Sequence, residues 1–297
     1  MQLLELRGQP LDLDLSLACG QAFRWRKRED GIWSGVVRDR LVELASADGS
    51  IFWRTHPEGD PSLVHDYLRL SDDVNATYAA LAESDPHVAR LIERFPGLRL
   101  LRQDPAETLL SFVCSAANSI PRISAAIEAL SSLFGELVCE KESSCYYAFP
   151  RIEALANADQ RVLEQTESLA FRGRNLRTVA QQLVDRGDEW LASLRGVSYS
   201  EARDQLMAMR GVGAKIADCV CLFSLDKDEA VPVDTHVRQL AHRLFLPDMK
   251  AKSITDSVYR RIGAEFAARY GRYAGWAQQF LFYEDLLRTR ARGRGLG

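Results

Sequence analysis

The sequence predicts an α+β fold, with an N-terminal antiparallel β-sheet domain packed on a larger α-helical body. Three observations carry this. In the first fifty or so residues apolar side chains alternate or run in short segments broken by Gly, Pro, Asp and Ser. From Pro61 onward the apolar spacing turns helical. Late in the chain, Gly211-Val212-Gly213 joins two helical patterns through a tight hairpin. The expected division gives residues 1–100 to the sheet domain with its flanking helices and residues 101–297 to the helical body. The hairpin motif falls at about 201–225.

The strand segments read in order as LLELRG, LDLDLSL, QAFRWRK, IWSGVV, RLVELAS and SIFWRT. Helical patterns follow in PSLVHDYLRL, VNATYAALAES and HVARLIERF. A strong one, AETLLSFVCSAAN, opens after Asp104–Pro105. IPRISAAIEALSSLFG ends in a glycine cap at Gly135. Residues 136–160 mix polar and aromatic residues and read as a loop with short elements. LEQTESLAFRGRNLRTVAQQLVDRG resumes the helical pattern, and EARDQLMAMR leads into the hairpin. The last long helix runs roughly over 273–288. Trp276, Phe280, Tyr283 and Leu287 make its core stripe, with Gln278, Phe282 and Asp285 on a second stripe.

At 297 residues, 46% hydrophobic and 27% charged, the chain can bury a large core. No apolar run reaches the length of a membrane span, and the first residues do not read as a signal peptide. The net charge of −3 does not advertise a polyanion partner. Its distribution is uneven: residues 1–100 carry 12 Lys+Arg against 16 Asp+Glu. The final LLRTRARGRGLG holds four arginines and no acid, enough for a local basic surface. Cys19, Cys114, Cys139, Cys145, Cys219 and Cys221 are scattered without a CxxC pair. That spacing argues against a zinc or iron–sulfur site and for free thiols.

The informative stretch is residues 206–243, LMAMRGVGAKIADCVCLFSLDKDEAVPVDTHVRQLAHR. The hairpin and the start of the second helix point unpaired backbone N–H groups and a positive dipole end outward. This is an anion site suited to a nucleic-acid phosphate. Lys215 stands in the first turn of that helix. A cation is disfavoured there, which leaves more neutral, nucleophilic amine. The plainer reading is a lysine that only neutralises phosphate. Asp234, in VPVD, reads as the N-cap of the next helix, and its carboxylate can also stabilise a nearby developing positive charge. His236 follows with ring and backbone donors, although a lone histidine there is often only a surface residue. Lys215 and Cys219 share one helix face, and Ile216, Val220 and Phe223 form an apolar one. The nucleotide-hydrolase pattern G-x-x-x-x-G-K-[ST] is absent.

GVGAKIADCVCLFSLDKDEAVPVDTHV resembles the signature of the bifunctional 8-oxoguanine DNA glycosylases of the helix–hairpin–helix superfamily. The resemblance extends from Gly20 to Asp285. It implies that Lys215 is the nucleophile and Asp234 its electrostatic partner. Cys219 would stack on the damaged base, with Phe282 on the opposite face and Gln278 on the Watson–Crick edge. Asp285 would complete that wall. Cys19-Gly20-Gln21-Ala22-Phe23-Arg24-Trp25 is similar to the segment whose glycine carbonyl, here at Gly20, accepts from the N7–H that 8-oxoguanine has and guanine lacks. The sheet domain would be the family's twisted one.

The resemblance also assigns the DNA contacts. The segment 115–122 is similar to the loop that fills the gap left by the extruded base. Asn118 matches its asparagine run and Arg122 its arginine on the opposite base, but Ala117 stands where a gap-filling asparagine would. This departure implies a weaker preference for an opposite cytosine. Phe171 resembles the wedge that kinks the duplex, and Arg172 would share the orphaned cytosine. Gly211, Val212, Gly213 and His236 would hold phosphate.

The implied activity is excision of 8-oxoguanine from duplex DNA by a lysine Schiff base, then strand cleavage by β-elimination. No cofactor or metal is expected. The expected partner is double-stranded DNA with 8-oxoguanine opposite cytosine, bound by a monomer without a membrane. The expected location is a bacterial cytoplasm or nucleoid, or a eukaryotic nucleus. Two other readings remain on the residues: a related glycosylase for another damaged base, or a DNA-binding protein without catalysis.

Overall fold

The computed structural model describes residues 1–59, 61–249 and 253–294, with side chains left aside at 188 and 290–294. The last three arginines of the basic C-terminal run therefore lie outside the described side chains.

The N-terminal part opens with strand β1 (Gln2–Leu3) and a short helix α1 (Leu13–Leu17), followed by β2 (Arg26–Lys27), β3 (Trp33–Val37), β4 (Arg40–Ala47) and β5 (Ser50–His56). The five strands form one antiparallel sheet in the order β1-β5-β4-β3-β2. The antiparallel sheet expected from the sequence is present, with two corrections. LDLDLSL alternates like a strand, yet forms α1. Asp12 caps it by accepting from the Leu15 N–H at 2.8 Å, and Leu13 and Leu17, one turn apart, are both buried. QAFRWRK contributes only its last residues to the sheet. Its first part crosses between two cores: Phe23 joins the helical core and Trp25 the sheet core.

Helices α2 (Ser62–Tyr67), α3 (Val74–Ser84) and α4 (Pro86–Arg94) follow. Although α3 and α4 lie near the sheet in sequence, Val74, Tyr78, Leu81, Val88 and Leu91 pack into the core of the helical body. Next come α5 (Pro105–Val113) and α6 (Ile120–Phe134). AETLLSFVCSAAN stops being helical at Val113. Ala117 turns left-handed (φ 49°), and the Asn118 amide reaches back to the Cys114 carbonyl at 3.2 Å. The stretch expected as a loop with short elements holds a hairpin, β6 (Leu137–Lys141) and β7 (Ser144–Tyr147). Glu142 and Ser143 hold φ of 50° and 62°, the two-residue turn shape usually signalled by Asn-Gly. Lys141 docks the hairpin on the sheet through Glu43.

The remaining helices are α7 (Ile152–Asn157), α8 (Gln160–Gln165), α9 (Arg172–Arg186), α10 (Asp188–Ser193), α11 (Tyr199–Met207), α12 (Ala214–Ser224), α13 (Thr235–Leu244), α14 (Asp256–Tyr270) and α15 (Ala274–Arg294). Helix α15 carries the buried stripe Trp276, Phe280 and Tyr283, with Leu287 only half-buried. Among the described residues no helix is long and apolar enough to cross a membrane.

Candidate functional site

The site is built on the turn between α11 and α12. Gly211 takes φ 95°, which a side chain would strain, and Val212 plugs into the core. Gly213 does not use the left-handed region; it is extended (φ −91°, ψ 173°) as the N-cap of α12. Open space lies over its α-carbon, so its benefit is access. The turn is clamped by Gln182, which accepts from the Arg210 N–H at 2.8 Å and donates to the Arg210 carbonyl at 3.0 Å. The first backbone N–H groups of α12 have no partner within the helix and face the same end as Lys215.

Lys215 is half-buried. Its Nζ donates to the Ser115 hydroxyl at 2.9 Å and lies 4.8 Å from the centre of the Phe112 ring. That ring stacks on Phe223 of α12 and meets Phe23 edge-on, so the amine rests on an aromatic floor. One turn along, Cys219 is buried. Burial pushes its thiol up to about 12, with the Lys215 charge pulling the other way, so it is a neutral thiol at physiological pH. Val220 and Phe223 are core as expected, whereas Ile216 is half-buried.

Asp234 caps α13, accepting from the Val237 N–H at 2.8 Å. The carboxylate is held at the helix end without an ion pair to Lys215, leaving the amine on Ser115. Beneath both lies a network the sequence did not signal. Asp218 of α12, buried, accepts from Tyr199 (2.8 Å), Arg203 (2.9 Å) and Tyr259 (2.5 Å). The Tyr259 oxygen in turn receives the Val233 N–H at 3.2 Å, next to Asp234.

Gly20 comes from the sheet part, at φ 88°. A side-chain carbon there would stand 3.0 Å from Ile120 and 3.6 Å from Phe282, so the absent side chain leaves the space between the glycine and the α15 aromatic open. Its neighbours are pinned. The buried Gln21 amide donates to the Ser16 and Arg99 carbonyls at 2.8 and 2.7 Å and accepts from the Leu101 N–H at 3.0 Å. Gln103 holds the Gln21 carbonyl and Gln279 the Cys19 carbonyl.

Gln278 is buried, and its Oε1 has no hydrogen-bond partner. Phe282 is half-buried with the His236 ring edge-on at 6.1 Å. Asp285 is engaged by Arg243 at 3.0 Å and lies 3.5 Å from His236 Nδ1, tying α15 to α13. Asp285, expected as a base-reading carboxylate, and His236, expected as a phosphate ligand, thus stand side by side, with the His236 side chain still 40% exposed.

On the outer rim, Arg122 is exposed and Phe171 is 63% exposed. Arg172, expected against an orphaned base, sits behind this rim in the chain without DNA. It is buried and gives its donors to the Ala116, Ala117 and Leu169 carbonyls, with its guanidinium 4.4 Å from the Phe171 ring centre. Asn118 bonds the Cys114 and Ser168 carbonyls and so braces the same loop. A surface cleft of about 600 Å³ between Asn157 and Arg177 is lined by none of these residues.

The site thus combines a helix–hairpin–helix turn, a lysine at the head of its second helix and a carboxylate capping the next helix. Residues 110–286 match the HhH-GPD superfamily of base excision DNA repair proteins, and the chain belongs to that family. Residues 3–109 match the N-terminal domain of 8-oxoguanine DNA glycosylase. The chain is 33% identical over 292 residues to the N-glycosylase/DNA lyase OGG1 of Arabidopsis thaliana, covering 95% of this chain and 80% of that protein. It superposes on a structure of MBOgg1 with a low-affinity DNA ligand at TM-score 0.84 and 32% identity, covering 95% and 94% of the two chains. A Clostridium acetobutylicum 8-oxoguanine glycosylase/lyase, bound to duplex DNA with cytosine opposite 8-oxoG, matches at TM-score 0.83 and 28% identity over 94% and 93%.

Proposed function

We propose that this chain is a base excision repair enzyme that flips 8-oxoguanine out of duplex DNA, excises it, and then cleaves the strand 3′ to the abasic site. The observation that carries the reading is the setting of one amine. Lys215 heads α12 one turn from Cys219 and rests on Ser115 and Phe112, while Gly20 and Phe282, from opposite ends of the chain, lie close enough that a side chain on Gly20 would meet the ring. The relatives named as N-glycosylase/DNA lyases support it.

In this mechanism the exposed Phe171 wedges the duplex and the lesion turns out of the stack. Gly20 offers its carbonyl to the N7–H, and the unpartnered Gln278 Oε1 accepts from the base edge. The Lys215 amine forms a bond to C1′ as the C1′–N9 bond breaks and its electron pair leaves with the base. Asp234 stabilises the positive charge that develops on the sugar. Loss of the lysine's protons and ring opening give a Schiff base. It acidifies the C2′ hydrogen, and β-elimination expels the 3′ phosphate. The chain acts where the DNA is, in a nucleoid or a nucleus.

The test is borohydride trapping on a duplex with 8-oxoguanine opposite cytosine, comparing wild type with Lys215→Gln. A covalent band in wild type alone supports the reading. Lesion binding without any band would reduce the protein to a monofunctional enzyme or a lesion binder.

A further inference from the structure

We infer that Ser115 is a positioning residue for this reaction: its hydroxyl seats the Lys215 amine and joins that seat to the loop that meets DNA. The inference rests on the reading of Lys215 as the nucleophile.

The hydroxyl has one proton, and it is committed. Ser115 Oγ donates to the Phe112 carbonyl at 2.7 Å, and the Ser115 N–H meets the same oxygen at 3.1 Å. Toward Lys215 the oxygen can then only accept, and Nζ donates to it at 2.9 Å. A neutral acceptor suits a nucleophile. The hydroxyl fixes the direction of the amine without forming an ion pair with it. The Phe112 ring lies under the amine and stacks on Phe223 of the helix that carries Lys215, so the lysine stem and its seat are fixed to one another.

The other side of Ser115 faces the rim. Its carbonyl accepts from the Asn118 N–H at 3.2 Å. The Ala116 and Ala117 carbonyls are gripped by Arg172, which stacks on the exposed Phe171. A duplex that displaces Phe171 or the 116–119 loop therefore bears on the residue holding the amine. This is a physical route from strand insertion to nucleophile placement, carried by bonded neighbours.

Single-turnover excision of 8-oxoguanine tests this, with affinity measured separately by fluorescence anisotropy on a duplex holding an uncleavable abasic-site analogue. Ser115→Ala is expected to slow excision about tenfold, the loss of one hydrogen bond to the reacting group, with affinity unchanged. Ser115→Thr keeps the hydroxyl and is expected to restore most of the rate. An unchanged rate in Ser115→Ala overturns the inference, as does an equal loss in Ser115→Thr or a loss explained by weaker binding. Absence of excision in wild type would overturn the glycosylase reading itself, a result distinct from all three.

Discussion

The Tyr259 hydroxyl donates to the Asp218 carboxylate at 2.5 Å while its oxygen receives the Val233 N–H at 3.2 Å. One phenol thus joins the helix of Lys215 to the segment that delivers Asp234. Burial raises the Asp218 carboxyl above its ordinary range, with Arg203, Tyr259 and Tyr199 working against it. Tyr259→Phe leaves that buried carboxylate one donor short. We expect a loss of about 1–3 kcal/mol in folding stability, measured by denaturant unfolding. Wild-type stability would show that the hydroxyl contributes nothing.

Asp234→Asn separates the charge from the cap. The amide oxygen can still accept from the Val237 N–H, so α13 should keep its stability. Excision should slow by about 10²–10³-fold with lesion affinity retained. A near-normal rate would leave Asp234 as a cap and no more.

Phe171→Ala removes a ring that is 63% exposed and contributes little to the core. Thermal stability should hardly move, while affinity for a lesion duplex should fall about tenfold through lost wedging and stacking. Anisotropy titration reads this directly, and unchanged affinity would place the ring outside the DNA contact.

Ala117 sits at φ 49°, where a β-carbon is strained and asparagine is tolerated. Ala117→Asn should therefore stabilise the fold by about 0.5–1 kcal/mol. It should also sharpen preference for an opposite cytosine. Excision rates opposite C, A, G and T in both proteins decide the second half. A wild type already strict for cytosine would contradict it.

Glu43 is fully buried in the sheet. Burial alone would raise its carboxyl, but hydrogen bonds and charges from Arg54 and Lys141 outweigh this and hold it at about 2, against 4.5 ordinarily. A carboxyl lowered by folding stabilises at pH above 4.5, and that contribution is lost as pH falls toward 2. Wild type should therefore lose stability across that window, and Glu43→Gln should lose less there. Parallel acid titrations would refute the assignment.

Much of the candidate site could be proposed from the sequence because its elements are local. Gly211, Lys215, Cys219 and Asp234 lie within one short stretch, and helix spacing alone puts Lys215 and Cys219 on one face. Contacts that depend on tertiary approach were not legible. Ser115 meets Lys215 from 100 residues away, and although its segment was marked as DNA-facing, nothing in it pointed to the lysine. The Tyr259–Asp218 pair is equally silent, since a buried aspartate looks like any helix-surface aspartate. Local errors had local causes. In LDLDLSL the Asp12 cap outweighs alternation, and the β6–β7 turn uses Glu142 and Ser143 where sequence rules look for Asn-Gly. The grip of Arg172 on the Ala116 and Ala117 carbonyls was equally out of reach, since an arginine at a rim reads as a ligand contact until its carbonyl partners are seen.

The pinning of Gln21 has a consequence for fidelity. Guanine outnumbers its oxidised form in DNA overwhelmingly, so an enzyme of this kind is judged by what it leaves alone. On the proposed role of Gly20, that restraint depends on one peptide carbonyl staying where a bare N7 is repelled. The Gln21 amide, wholly buried, keeps it there by bonding three backbone groups on either side of it. Loosening that amide by Gln21→Ala would therefore surface as mistakes, with undamaged guanine released and intact strands nicked. A defect in accuracy would thus arise at a residue whose side chain is sealed away from the DNA.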